Sequence, residues 1–489
     1  MKKYLLVPVM PTPNGPLHLG HISGPFLRMD VLARCLRQMG HAVSIVSASD
    51  PWETHVLLRG LTNDAPPEQI CHHYHREIAN GLAALNINYD RFINVLEPPW
   101  SAALPSIAND VLAVLAKQPG ALRVIKERVP YSRKHQMPLI GALIEGACPK
   151  CGASMGGFFC ESCGAEISPS DLVKPRSRLP DDNWEWRSYD SLYLQVRDVS
   201  ALRRLAERIC ADRRFVEMAF DGLALNNNLV RLTHPGAWGI RARAESVSPE
   251  SVIFTYPALF ALSLLCAGAK DATAKDTAFA PSSDVITIKS FGIDNSMPYI
   301  VSILAQTQAL GNVKPFDHYL TNYFSTLDEK KFSTSRNHAI WALDACNLLK
   351  TKTDTIRAYL SKVNPQYGET DFSVAEFGAF KTQWEERLER NIAAALSTTR
   401  ARSNNLDHLA RLFEQRNAAL DPARFALAEA MKPLEEWARL ADNGVTHAWA
   451  LGFSVLAWPI MPELSERIWR MGGLPNLPTF EKLLERLKT

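Results

Sequence analysis

No uninterrupted apolar run approaches the roughly 18 residues that span a bilayer. Met1-Lys2-Lys3 leads into a short apolar run broken by Pro8 and Pro11, so no secretory leader is read there. Fixed-period repeats and low-complexity tracts are also missing, which excludes solenoid arrays and compositionally disordered tails. Charge is nearly balanced, with 54 Lys and Arg against 51 Asp and Glu and a formal net charge of +3. That gives no general attraction for a polyanion, although a local basic face stays compatible with it. Cysteine is scarce: nine residues, four in close pairs and five scattered, which is no disulfide framework. A reduced, cytoplasmic, metal-using protein is expected. What remains is an ordinary globular composition, 46% hydrophobic and 21% charged, over 489 residues. That length suits about three domains.

Pro13-Asn14-Gly15-Pro16-Leu17-His18-Leu19-Gly20-His21 directly follows the apolar run Tyr4–Val9. A hydrophobic strand over Tyr4–Met10 therefore enters a Pro/Gly turn and then a helix. In an open α/β sheet, nucleotides bind in the crevice at the carboxyl end of such a strand. Gly15 and Gly20 let backbone approach a ligand, and a helix start offers free N–H groups to phosphate. His18 and His21 lie one helical turn apart, so both can face one polyphosphate. The same residues also fit a strand–turn–helix with surface histidines. After His21, Phe26, Met29, Leu32, Leu36 and Met39 recur at helical spacing up to Gly40, and a second strand over 41–46 closes on Ser49-Asp50. Helical patterns follow between Pro67 and Leu85 and between Leu104 and Lys117. Short β runs then take over until about Ile240, and helix and strand signals alternate again to Tyr323. Beyond that the chain is almost all helical, with a core stripe at Phe377, Phe380, Trp384, Leu388, Ile392 and Leu396.

Cys148-x2-Cys151-x8-Cys160-x2-Cys163 has the spacing of two knuckles sharing one ion. Four thiolates form the closed tetrahedral shell of structural Zn2+, with no open position for a reacting water. Gly152 and Gly164 stand where a knuckle turn favours a left-handed residue.

About 300 residues after the histidines comes Asp328-Glu329-Lys330-Lys331-Phe332-Ser333-Thr334-Ser335-Arg336. A compact Lys/Ser/Arg loop suits a mobile arm closing on phosphoryl oxygens, and equally a solvated basic turn. Together with His18-Leu19-Gly20-His21 it resembles the Lys-Met-Ser-Lys-Ser loop of class I aminoacyl-tRNA synthetases, whose His-Ile-Gly-His motif the histidines resemble. Pro13-Asn14-Gly15, Cys148-Pro149-Lys150-Cys151-Gly152, Ser168-Pro169-Ser170-Asp171-Leu172 and the closing stretch from Pro459 to Trp469 make the resemblance specific to the methionyl-tRNA synthetase family. The first three lie within residues 1–370, most of which the resemblance covers.

The resemblance implies a class I synthetase α/β fold: a Rossmann-type parallel sheet, an inserted zinc-knuckle domain and a C-terminal α-helical bundle. Its divisions are 1–120 and 241–325 for the catalytic halves, 121–240 for the insert, 326–375 for the lysine loop and stem-contact region, and 376–489 for the bundle. It also implies ATP-dependent activation of an amino acid with Mg2+, followed by acyl transfer to tRNA, in a monomer. His18, His21, Lys331, Ser333 and Ser335 would be catalytic. Pro13, Asn14, Gly15, Gly20, Gly292, Asp294, Lys330 and Arg336 would bind ATP. Met10, Thr12, Asp50, Phe254, Pro257, Ala258 and Tyr299 would surround the amino acid, with Asp50 on its ammonium group.

Several positions depart from the family pattern. Thr334 replaces the loop's second lysine, a charge that Lys330 or Arg336 would have to supply. Thr12, Phe254 and Pro298-Tyr299 replace aromatics or a Phe-His pair of the methionine pocket, and Leu232-Thr233-His234-Pro235 replaces a Ser-Arg-Asp stretch ahead of Trp238-Gly239. A more polar or larger pocket is expected. The helix that reads the anticodon corresponds to Asn391-Ile392-Ala393-Ala394-Ala395-Leu396, mostly alanine where base readers are needed. Trp437 reads either as an anticodon aromatic or as core. Three functions therefore stay open: a tRNA ligase, a paralogue that acylates a small-molecule or peptide amine, and a non-catalytic tRNA-binding paralogue.

Overall fold

The computed structural model describes all residues except 157, 161–162, 164, 181, 333–337, 398–405, 476 and 489. Five parallel strands form the central sheet, in the order His318–Asn322, Ile286–Gly292, Lys3–Pro8, Ala42–Ala48 and Arg91–Ile93. Tyr4 lies opposite Ile286 on one side and Val43 on the other. Parallel strands are joined by crossovers that cover both faces, so their sequences read as continuous apolar runs. Leu5 and Val7 enter one core with Val46 and Phe291, while Tyr4 and Leu6 enter the opposite core with Ile45 and Ile288.

The first strand stops at Pro8, two residues short of the Met10 expected from the apolar run. Met10 leaves the sheet and turns towards its carboxyl end. The helix after His21 is likewise delayed. Ile22–Phe26 forms a wider π-type turn kinked at Gly24, with Pro25 inside it, and the regular helix is Leu27–Gln38. Proline removes one backbone donor and clashes with the preceding turn, which accounts for the irregularity.

After Ile93 the helix Trp100–Ala116 leads to an antiparallel sheet. Its spine is the long ladder of Leu122–Ser132 against Trp184–Gln195. The cysteine segment carries a small sheet of Ile144–Ala147, Ser154–Gly156 and Val173–Ser177. The chain returns through Thr255–Cys266, whose residues from Tyr256 onward are all buried, into the strand Ile286–Gly292. From Thr353 onward helices predominate, ending with Pro462–Met471 and Phe480–Lys488. Among the described residues, no helix is long and apolar enough to cross a membrane.

A buried charge group ties this helical region to the helix Leu27–Gln38 that follows the first strand. Arg357 donates to Asp30 Oδ2 at 2.7 Å and to the carbonyls of Ile460, Pro459, Leu85 and Asn86, while Arg34 Nε meets the same carboxylate at 2.8 Å. Burial raises the Asp30 pKa, but the two guanidiniums outweigh it and hold it below the ordinary carboxylate value. The stabilisation is therefore present above the ordinary range and is lost as pH falls through the lowered value. Asp30→Ala would leave Arg357 buried without its anion, and we expect a loss of about 3–5 kcal/mol in urea unfolding. A loss under about 1 kcal/mol would mean that the four carbonyls suffice to hold the cation.

Candidate active site

The two motifs separated by some 300 residues meet in one stack. His18 caps the short helix Leu19–His21, its Nδ1 accepting from the His21 N–H at 3.3 Å. His21 Nδ1 in turn accepts from the His18 N–H at 3.2 Å. Both Nδ1 atoms are thus acceptors, which fixes the neutral tautomers with their protons on Nε2. The two rings stack at 3.6 Å between centroids. Burial, then the neighbouring ring, pushes the His18 pKa down to about 2, and burial also lowers that of His21. Neutral imidazoles presenting N–H groups are suited to phosphate oxygens.

On the other side of His18 lies Phe332, stacked at 4.5 Å and nearly parallel. A Cβ on Gly20 would stand 2.7 Å from Phe332 Cδ2 and 3.1 Å from His18 Cε1. Gly20 is therefore needed for contact with this ring, a partner that the sequence pattern does not reveal. The loop carrying Phe332 is held to the motif by backbone pairing of Leu19 N–H to Ile340 O at 2.9 Å and Ala342 N–H to Leu17 O at 2.8 Å. Ser23 Oγ and Ser325 Oγ, 3.0 Å apart, add a side-chain link. The strands Ser325–Leu327 and Lys330–Lys331 form a hairpin. Asp328 and Glu329 both have positive φ, the pattern of a primed two-residue turn. The turn exposes Lys330 and Lys331, and the Lys331 ammonium lies 5.3 Å from the Phe324 ring centre. Ser333, Thr334, Ser335 and Arg336 lie outside the described residues, as does Gly164.

The other expected residues collect at the same end of the sheet. Asp294 is exposed just beyond the strand Ile286–Gly292, and a Cβ on Gly292 would fall 2.7 Å from its Oδ1. Pro13 is buried, while Asn14 and Gly15 stay half-buried in the loop before His18. Asp50 is buried at the end of the neighbouring strand. Its backbone N–H donates to Pro11 O at 3.0 Å, and its Oδ1 accepts from the Trp52 N–H at 3.3 Å. Burial first, and then the Glu53 charge, raises its pKa to about 8. Trp238 pins the loop after Asp50 by donating to Pro51 O at 2.6 Å.

Met10 and Tyr299 meet beside Asp50. The Tyr299 hydroxyl is 3.6 Å from Met10 Sδ, and Tyr299 is fully buried. Thr12 remains half-buried in the preceding loop. Phe254, Pro257 and Ala258 are all buried, Phe254 within an aromatic group of Phe158, His234 and Tyr256. Behind that group lies a network without a sequence signature. Arg231 pairs with Glu127 at 2.7 Å and Glu166 at 2.9 Å, and the Tyr256 hydroxyl donates to Glu166 at 3.1 Å. A second unforeseen residue is Lys289, buried on the strand Ile286–Gly292 with its Nζ 2.8 Å from Met10 Sδ. The available signal was the one charged residue in the run Ile286-Thr287-Ile288-Lys289-Ser290-Phe291-Gly292.

The four cysteines converge. Their Sγ atoms all lie within 4.8 Å of one another, with Cys148–Cys163 at 3.8 Å and Cys151–Cys160 at 3.5 Å. Ligands at a zinc–sulfur distance of about 2.3 Å in a tetrahedron sit roughly 3.8 Å apart, so this donor set fits zinc. The Gly152 φ of +75° supplies the turn. The cluster packs with Leu57 of the helix that follows Asp50, and Thr54 Oγ1 accepts from the Ala142 N–H at 2.8 Å.

The profile of the family described as "tRNA synthetases class I (M)" matches residues 4–383. The chain belongs to this family. By family it is an ATP-dependent ligase of the aminoacyl-tRNA ligase type. It is 25% identical over 538 residues to the methionine–tRNA ligase of Chlorobaculum tepidum, covering 99% of this chain and 75% of that one. To that of Cytophaga hutchinsonii it is 26% identical over 393 residues, 77% of this chain and 56% of the other. The chain thus spans between about half and three quarters of these relatives. Mycobacterium tuberculosis methionyl-tRNA synthetase bound by methionyl-adenylate shares the fold, with a TM-score of 0.74 at 14% identity over 99% of this chain and 96% of that one. The apo form scores 0.66, covering 99% and 94%.

Two outcomes follow from this geometry. Purified protein should carry one zinc per chain, and stripping it should lower the melting temperature; metal analysis without zinc, or a disulfide among these four cysteines, would refute the assignment. Gly20→Ala should push Phe332 off His18 and slow pyrophosphate exchange by roughly 10²-fold with melting unchanged. An unaltered rate would mean that the stack plays no part in the reaction.

Proposed function

We propose that this protein uses Mg·ATP to activate an amino acid as its aminoacyl-adenylate. The carboxylate oxygen of the amino acid attacks the α-phosphorus and forms a new P–O bond. The bond between that phosphorus and the bridging oxygen breaks, and pyrophosphate leaves with the electron pair. The observation carrying this reading is the His21–His18–Phe332 stack, which joins the phosphate-facing motif to the lysine loop. His18 and His21 donate Nε2–H to oxygens whose charge grows in the transition state, and Lys331 meets the departing pyrophosphate. Magnesium, when bound with ATP, neutralises the phosphate oxygens. Burial shifts Asp50 towards its neutral form, and an α-ammonium group beside it favours the carboxylate, making Asp50 the partner of that cation. Asp294 accepts from the ribose hydroxyls, and Gly292 leaves room for that contact.

For the acceptor, a specific observation favours a small-molecule or peptide amine over tRNA. Trp437 is 1% exposed, and its indole N–H donates to Trp449 O at 3.0 Å while Trp449 returns the bond at 2.9 Å. It is core and not a stacking platform. The helix Arg387–Ser397 buries Leu388, Ile392 and Ala395; within 391–396 the exposed residues are Ala393 and Ala394, while Arg387, one turn earlier, is exposed but bonded to Asp442, and Arg390 is exposed as well. Methyl groups carry no donors for base edges.

His21→Ala should reduce ATP–pyrophosphate exchange by roughly 10²-fold or more while ATP affinity changes little; unchanged exchange would remove the histidines from the mechanism. In mobility-shift assays at about 0.15 M salt, binding of methionine tRNA should be weak and indifferent to the anticodon. Submicromolar binding lost on changing the CAU triplet would establish tRNA as the acceptor.

A further inference from the structure

A lysine in the middle of a central parallel strand has to be explained by what it faces. Lys289 is 0% exposed. Strand alternation places it on the same face as Val7, its partner across the ladder, and so towards the core that holds Met10 and Tyr299. Its ammonium lies 2.8 Å from Met10 Sδ, 3.3 Å from Pro8 O and 4.3 Å from the centre of the Tyr299 ring. A thioether is a weak acceptor, so three donors meet one good acceptor. No carboxylate of the described residues forms an ion pair with it. Asp50 acts on it from beyond pairing distance, and burial brings its pKa down to about 7, with Cys266 and Asp50 pulling the other way.

A buried ammonium without an anion is strongly unfavourable, and removing its charge leaves an amine still short of acceptors. The contact with Met10 is the replaceable one. Methionine has three rotatable side-chain bonds, and its displacement would open the space beside Tyr299. A substrate thioether would only repeat the weak contact already present. A carboxylate would give a short charge-assisted bond and restore both charges.

We propose that Lys289 receives the side-chain carboxylate of an acidic amino acid, while Asp50 receives the α-ammonium group of the same molecule. This assignment rests on the adenylation reading above. The substrate class is an α-amino acid with a second carboxylate, the two protein charges being matched to its two ends. Lys289 is then a specificity-determining residue, and it takes no part in phosphoryl chemistry.

The test is ATP–pyrophosphate exchange with aspartate, glutamate, one longer diacid, asparagine, glutamine and methionine. One acidic amino acid should exceed its amide and methionine by roughly 10²-fold or more in kcat/KM, since a site built on a buried polar partner rejects a ligand that leaves it unpaired. Lys289→Met should abolish that preference, and Lys289→Gln should shift it towards the amide. Neither change should lower the melting temperature, because each removes a buried unpaired charge. Methionine or an amide as the best wild-type substrate would overturn the assignment. So would an equal loss for every amino acid in Lys289→Met, which would place the lysine on the shared α-carboxylate. A separate readout keeps the two readings apart: the preferred acidic amino acid should raise the melting temperature of the wild type and not of Lys289→Met. A thermal shift without exchange would refute adenylation and leave the acidic pocket standing. Absence of both would refute the pocket as well.

Discussion

Everything chemical in this protein depends on five strands running the same way. Parallel pairing sends the carboxyl ends of Lys3–Pro8, Ala42–Ala48, Ile286–Gly292 and His318–Asn322 to one edge of the sheet. The residues just past those ends are Met10 and the histidine turn, Asp50, Asp294 and the lysine hairpin. No local preference could gather them, since they come from positions spread over more than 300 residues. The sheet does it because each crossover must return the chain to the same starting edge.

Around that edge the protein places hydrophobic and aromatic contacts where a solvated site would place water. Phe332 lies flat on His18, and the aromatic group of Phe158, His234, Phe254 and Tyr256 stands beside the helix Thr255–Cys266. Low local polarity keeps the imidazoles neutral, raises Asp50 and lowers Lys289. The Arg231–Glu127–Glu166 network holds the aromatic group from behind by linking the inserted sheet to Tyr256. The cysteine cluster has a comparable positioning role, packing its apolar side against Leu57 on the helix after Asp50. Its ion, bound by four thiolates, would contribute shape and no open coordination site.

Much of this was legible in the residues. The apolar run into Pro13-Asn14-Gly15, the two histidines and the paired cysteines each carry a local reason for their geometry, and the structure places them as a strand end, a helix start and a converged thiol set. The boundaries slipped where proline intervened: Pro8 ends the first strand early, and Pro25 with Gly24 delays the regular helix to Leu27. Trp437 could not be placed from spacing alone, because a stacking aromatic and a core aromatic look alike until the helix bearing Trp449 closes over it.

The sequence by itself determined which short motifs to look for, since they keep a fixed spacing without knowledge of their neighbours: a histidine pair, a lysine loop and four paired cysteines. Only the tertiary structure decided what each of these touches. Phe332 reaches Gly20 and His18 from a loop 300 residues away, Arg357 closes on Asp30 across 327 residues, and Lys289 becomes unusual only once the strand carrying it is buried on both sides. The physical reason is that burial and long-range contact are properties of the packed sheet and not of any window of residues. The charge of a lysine or an aspartate at such a position is set by the medium that the rest of the chain builds around it.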